Sequence, residues 1–162
     1  MIGIRPANKD DFEAYYNIKC TKSDITWTGP YSIPPRKETL FDAFISRIGT
    51  GFVPGAKCLY MIAEEDVVKD YVMFTINQED IELGYSIYEP FQKQGVGKAA
   101  MKLAVREALK HKPLVFVQIR DDNFPSQKCC TAVGFKKTEE CYDIEYPTVG
   151  KSKMRKYIIA AD

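Results

Sequence analysis

Apolar positions recur along this chain at two different periods, and the switch between them divides it into elements. Ile2 to Arg5 reads as a short strand closed by Pro6. Asn8 is placed to cap a helix from about Asp10 to Cys20. There Phe12, Tyr15, Tyr16 and Lys19 fit a 3.6-residue repeat, and Asp10, Asp11 and Glu13 suit the positive N-terminal end. The segment ITWTGPYSIPP shows no such repeat and is expected to be irregular. Pro34 and Pro35 then open a second helix, roughly Arg36 to Ile48, with Leu40, Phe41, Phe44, Ile45 and Ile48 on one face.

Beyond Gly49, Gly51 and Pro54 the period shortens to that of strands, expected over Cys58 to Glu64, Val67 to Asn77 and Ile81 to Tyr88. The breaks at Glu65-Asp66 and Gln78 to Asp80 are short enough for an antiparallel meander. A third helix is expected from Gly97 to about Lys110, burying Val96, Ala99, Ala100, Leu103, Ala104 and Ala108. Pro113 stops it. LVFVQI suits a strand covered on both faces, and a short helix from about Ser126 to Val133 ends at Gly134. FKKTEECYDI and MRKYIIA complete a strand pair. The class is α+β with a mixed sheet.

Length narrows this to one domain over residues 1–162, long enough to bury a core without staples. Lys and Arg number 23 against 22 Asp and Glu, so no overall field draws the chain to nucleic acid or acidic lipid. Five cysteines without a C-x-x-C pair, and a single histidine, argue against a disulfide scaffold and a zinc site; no metal is expected. The N-terminus has no signal-peptide pattern and no apolar run reaches ~18 residues, so a reduced cytoplasmic setting away from membranes is expected. His111, between two lysines at a helix end, reads as a helix-end cation.

The stretch FQKQGVGKAA carries the chemistry. Glycines followed by a helix start bring unpaired amides and the positive dipole end to one place, which is an anion site suited to phosphate. A Walker A loop is excluded, because Gln92 stands at its first glycine and Ala99 at its magnesium-binding hydroxyl. The dinucleotide fingerprint G-x-G-x-x-[GA] matches Gly95, Gly97 and Ala100, with Asp121 at a plausible distance, but no strand runs directly into the first glycine.

A third pattern uses more of the residues. Gln92, Gly95 and Gly97 form Q-x-x-G-x-G before a helix and after the strand IELGYSIY. Asn123 and Ser126 follow in NFPSQKCCTAVGF, with Gly134-Phe135 closing the segment. The pair resembles the pyrophosphate loop and the later N-x-x-[SA]…GF segment of the GNAT superfamily of acetyl-CoA-dependent N-acyltransferases. The resemblance implies a mostly antiparallel central sheet flanked by helices on both faces. Acetyl-CoA would be the co-substrate, its pyrophosphate held by amides from Gln94 through Lys98 (Gln94, Gly95, Val96, Gly97, Lys98). Gln92 would belong to that loop and Lys93 and Lys98 would neutralise charge, while Ile87 and Tyr88 would pair with the pantetheine amides. Asn123 would bind the pantetheine arm, and Ser126 either does the same or caps the short helix.

Acetyl transfer to an amine needs a base, because an alkyl ammonium has a pKa near ~10.4. Glu82 lies opposite the apolar row Ile81, Leu83, Tyr85, Ile87 and is the candidate; family members often carry a glutamate base on this strand. An oxyanion donor would be an amide near Ile87 or Tyr88. Many members place a proton-donating tyrosine where this chain has Cys130, so the donor is open among Tyr142, Tyr85, Tyr88, water and the Cys130 thiol. Trp27 and Tyr31 are candidates to line the acceptor pocket, or to pin a loop to the core. The expected function is an N-acetyltransferase moving acetyl from acetyl-CoA to a primary amine of a small molecule or protein N-terminus by direct attack. A non-catalytic CoA-binding module and a dinucleotide-binding oxidoreductase are the alternatives. Free strand edges make a homodimer a reasonable expectation.

Overall fold

The computed structural model describes residues 1–28, 35–87, 95–146 and 150–162, with the side chains of residues 26–28, 86, 87 and 146 left aside. Within these residues the strands β1 (Ile2–Pro6), β2 (Lys57–Glu64), β3 (Val67–Ile76), β4 (Asp80–Ile87), β5 (Leu114–Arg120), β6 (Lys136–Tyr146) and β7 (Gly150–Ala160) form a seven-stranded sheet in the order β1-β2-β3-β4-β5-β7-β6. The β4–β5 pair is parallel and the other described pairs are antiparallel. The helices are α1 (Phe12–Lys19), α2 (Lys22–Thr28), α3 (Lys37–Arg47), α4 (Val96–Leu109) and α5 (Phe124–Val133). This is the expected mixed, mostly antiparallel α+β architecture. A doubly wound parallel sheet, which a dinucleotide site would require, is absent from the described residues.

Local chemistry sets the helix starts. Asn8 Oδ1 accepts from the Asp10 amide at 2.9 Å and the Asn8 amide donates to Asp11 Oδ2 at 2.8 Å, a reciprocal cap that opens a short 3-10 turn (Lys9–Asp11) into α1. At the β2–β3 hairpin, Glu65 and Asp66 take positive φ (48° and 67°), matching the right-handed twist of the flanking strands. The segment ITWTGPYSIPP departs from its expected irregularity, because α2 covers Ile25 to Thr28. The Thr21 hydroxyl accepts from the Asp24 amide at 3.2 Å, and the buried Asp24 carboxylate accepts from the Tyr71 hydroxyl at 3.0 Å and pairs with Lys19 at 2.9 Å. Tertiary bonding thus holds a helix that apolar periodicity does not announce.

Alternation along the strands divides the core in two. Cys58, Val72, Phe74, Ile81, Leu83, Val115, Val117 and Ile119 pack under α4 and α5. Leu59, Met61 and Tyr71 face the other way, against Phe12, Tyr15, Leu40 and Phe44 of α1 and α3. Along α4, Met101 and Val105 are buried where Ala99 and Leu103 were expected. Ala100, Ala104 and Ala108 recur every fourth position, so the helix lies close to the sheet and the larger Met101 and Val105 fill the space beside that seam. His111 lies just past α4, its ring stacked on Phe52 at 4.1 Å and Nε2 3.6 Å from Glu107.

Candidate active site

The β4–β5 ladder pairs Asp80 with Leu114, Ile81 with Val115 and Glu82 with Phe116, and stops there. Beyond Glu82 the two parallel strands separate, leaving main-chain groups along their facing edges outside any described strand ladder. A cleft of about 230 Å³ fills the gap, lined from β4 by Glu82, Leu83, Gly84 and Tyr85 and from β5 by Val117 to Arg120. Asn123 and Ser126 of α5 and Tyr142 and Met154 of β6 and β7 complete the lining. It lies toward the carboxyl ends of parallel strands, where α/β sheets commonly admit ligands.

Because strand side chains alternate, the cleft has chemically different walls. Glu82 shares a face with Lys57 and Thr75 through successive cross-strand pairs and lies on the α1/α3 side. It is half-buried, and burial raises its pKa above the ordinary carboxylate value; Lys57 and Lys156 oppose the shift and Asp80 adds to it. Lys156 is held over the Phe116 ring, with Nζ 4.4 Å from the centroid. Tyr85 points to the α4/α5 side. Its hydroxyl lies 3.1 Å from Ser126 Oγ and 3.7 Å from Cys130 Sγ, linking β4 to α5. Burial pushes the Tyr85 phenol well above its ordinary pKa and the Cys130 thiol to about 12.

The start of α5 is fixed by Asn123, whose Oδ1 accepts from the Ser126 amide at 3.3 Å. The cap is therefore Asn123, and the Ser126 hydroxyl is turned to Tyr85 instead. Gln127 Nε2 donates to the carbonyls of Arg120 and Asp121 at 3.0 and 2.9 Å, tying α5 to the end of β5. Asp121 is engaged by both Nε and Nη2 of Arg155 at 3.0 and 3.1 Å, so the carboxylate that would suit a ribose belongs to an ion pair within the sheet.

At the glycine stretch, Gly95 is the N-cap of α4 with φ 77°, a conformation that favours glycine, and no side chain among the described residues caps the helix. Helix geometry leaves the amides of Val96, Gly97 and Lys98 without acceptors inside the helix, while Ala99 N bonds Gly95 O at 3.1 Å. Val96 and Ala100 pack on Ile62, Ile2 and Ile4 and anchor this end to β1 and β2. Uncapped amides on a fixed helix start fit a diphosphate, and the open strand edges fit an amide-bearing pantetheine chain.

The cleft thus brings together Glu82, Asn123, Ser126 and Tyr142, with Cys130 buried behind the Tyr85–Ser126 pair. Tyr142 is exposed at the rim. Ile87 ends β4 opposite Asp70, Lys98 is exposed on the first turn of α4, and Trp27 falls in α2. Tyr31, Tyr88, Gln92, Lys93 and Gln94 lie outside the described residues. Gln118, Arg120 and Met154 line the cleft without having been singled out from the sequence. For Gln118 and Arg120 the signal was their polar character at alternate positions after Phe116 in the otherwise apolar run LVFVQIR; Met154 carried none.

Solved structures share this architecture at low identity. Spermidine N-acetyltransferase from Vibrio cholerae, in complex with CoA and spermine, superposes with a TM-score of 0.82 at 13% identity, covering 98% of this chain and 95% of that one. The ribosomal L7/L12 alpha-N-protein acetyltransferase in complex with coenzyme A gives 0.81 at 17%, with 99% and 94% covered. The ribosomal-protein-S18-alanine N-acetyltransferase from Escherichia coli gives 0.73 at 16%, with 99% and 94% covered. No match was found among curated proteins. A family model described as an acetyltransferase (GNAT) domain matches residues 2–136, and the chain belongs to that GNAT acetyltransferase family.

Proposed function

We propose that this protein transfers acetyl from acetyl-CoA to a primary amine of a small molecule or protein N-terminus by direct attack, with the β4–β5 cleft as the reaction chamber. The observation that carries the reading is the end of the β4–β5 ladder at Glu82, which opens a slot beside a carboxylate of raised pKa. Acetyl-CoA supplies an activated acyl group on a thioester. The amides of Val96, Gly97 and Lys98 hold its diphosphate, with Gly95 allowing the turn that exposes them. Ile87 at the end of β4, and Asn123 and Ser126 at the start of α5, flank the pantetheine arm.

Glu82 takes the proton of the attacking ammonium, directly or through water, and its raised pKa brings it closer to that task at neutral pH. Tyr142 closes the rim on the acceptor side. Cys130 packs: its thiol is fully buried behind the cleft wall, and a thiol pushed to about 12 holds too little thiolate to act as a nucleophile at neutral pH. Trp27 and Tyr31 belong to the region before α3 that we assign to acceptor selection. Five free cysteines suit a reduced, cytoplasmic setting. No helix among the described residues is long and apolar enough to cross a membrane.

The test is thioester turnover with acetyl-CoA against a polyamine, an aminoglycoside, free amino acids and short peptides with free N-termini. The wild type turns over at least one of these. Glu82→Gln lowers kcat/KM by about 100-fold or more while coenzyme A still binds. Coenzyme binding without turnover of any amine would favour the non-catalytic module.

A further inference from the structure

Acyl transfer ends with a proton on the departing sulfur, and the α5 wall of the cleft holds a hydroxyl cluster placed to give it. Tyr85, Ser126 and Cys130 each carry one hydrogen on O or S, and two contacts of 3.1 and 3.7 Å join them through the Tyr85 oxygen. Three hydrogens and two links leave one hydrogen over. Cys130 is fully buried, whereas Tyr85 and Ser126 both line the cleft; when Ser126 and Cys130 both donate to the Tyr85 oxygen, the hydrogen left over is the phenolic one, at the cleft wall.

Steric reasoning points to the strand as the source. A cysteine at position 130 is small, and the Tyr85 hydroxyl comes within 3.7 Å of its sulfur. The phenol entering from β4 therefore occupies the space that an aromatic ring carried by α5 would need. Glu82 lies on the opposite face of the same strand, so base and hydroxyl address the cleft from its two sides.

We propose that Tyr85, backed by Ser126 and Cys130, is the catalytic residue that hydrogen-bonds to the thioester sulfur and protonates the leaving thiolate. This rests on the acetyl-transfer reading. The nitrogen lone pair forms the C–N bond, the C–S bond breaks with its electron pair going to sulfur, and the proton shed by nitrogen goes to Glu82. The ammonium proton that Glu82 accepts before attack passes on to water, freeing the carboxylate for the second proton, shed after the C–N bond forms. The phenolic proton moves to sulfur as charge collects there and water restores it, so nitrogen loses two protons, sulfur gains one and one is released to solvent. Burial keeps the phenol protonated at neutral pH, and its hydrogen bond strengthens as the acceptor becomes anionic.

Calorimetric titration with coenzyme A and with dethio-coenzyme A, in which hydrogen replaces the thiol, tests the assignment without an acceptor amine. At about pH 9, where much of the thiol is ionised, the wild type binds coenzyme A about tenfold more tightly than the dethio compound. Tyr85→Phe abolishes that preference and leaves affinity for the dethio compound unchanged, which also shows that the variant is folded. A preference missing from the wild type, or undiminished in the variant, overturns the role of Tyr85. Failure of both compounds to bind the wild type overturns the acetyl-CoA reading itself, and this assignment with it.

Discussion

Glu82 and Tyr85 stand three positions apart on β4 and so face opposite sides of the sheet, which in the proposed reaction would let one strand serve both ends of the transfer. Burial raises the Glu82 pKa, so its base form is lost on acidification earlier than for a solvated glutamate. In the wild type, kcat/KM falls as pH drops through that raised value; in Glu82→Gln this acidic limb disappears along with most of the activity. A pH profile of kcat/KM for both proteins checks the sign, and a limb that persists in the variant would assign it to another group. The place of Glu82, on the face opposite the apolar row, was legible in the sequence through strand alternation. The Tyr85 cluster was not, since Tyr85 lies 41 residues from Ser126 and 45 from Cys130, and only the fold brings them together.

Among the elements, helix starts do most of the positioning. The start of α4, without a side-chain cap among the described residues, and the Asn123-capped start of α5 are different devices: one leaves its first amides for the proposed diphosphate, the other uses a side chain to satisfy its own. Asn123→Ala removes that cap and should cost about 1 kcal/mol, or roughly 2–4 °C in Tm. It should also weaken coenzyme A binding, because Asn123 lines the cleft. Scanning calorimetry with and without coenzyme A reads both effects, and an unchanged Tm in the free protein would refute the cap. Periodicity located α1, α3, α4 and six of the strands closely, and began β7 at Met154, four residues after its observed start at Gly150. It missed α2, whose helical conformation depends on Thr21 and on the long-range engagement of Asp24 by Tyr71. It also rotated the buried stripe of α4, because alanines score as apolar whether or not they face the sheet.

For the whole molecule, the two main clusters, one on each face of the sheet, cover β2 to β5, while β6 stays largely exposed and a cleft opens where β4 and β5 part. Length and pattern indicated a mixed α+β sheet, but the point of separation depends on register between strands far apart in sequence. An ion pair links β1 to the start of α1: Arg5 Nη1 and Nη2 meet Asp11 Oδ2 and Oδ1 at 2.7 and 2.8 Å. Burial alone would raise the Asp11 pKa, but bonds from Arg5 and the Asn8 amide hold it below the usual value. Its contribution is thus complete above the unfolded pKa, ~3.9, and is lost as pH falls through the lower folded value. Because Arg5 is partly solvated, Asp11→Asn should cost about 1–2 kcal/mol at pH 7, the gap closing in strong acid. Urea unfolding across that range measures it, and a gap independent of pH would contradict the assignment.

The structure of the complex with coenzyme A bears on every part of this account at once. The diphosphate should lie within hydrogen-bonding distance of the amides of Val96, Gly97 and Lys98, with the pantetheine arm running between β4 and β5 and the sulfur beside Tyr85. A diphosphate bound elsewhere, or a cleft between β4 and β5 left empty with coenzyme present, would contradict it.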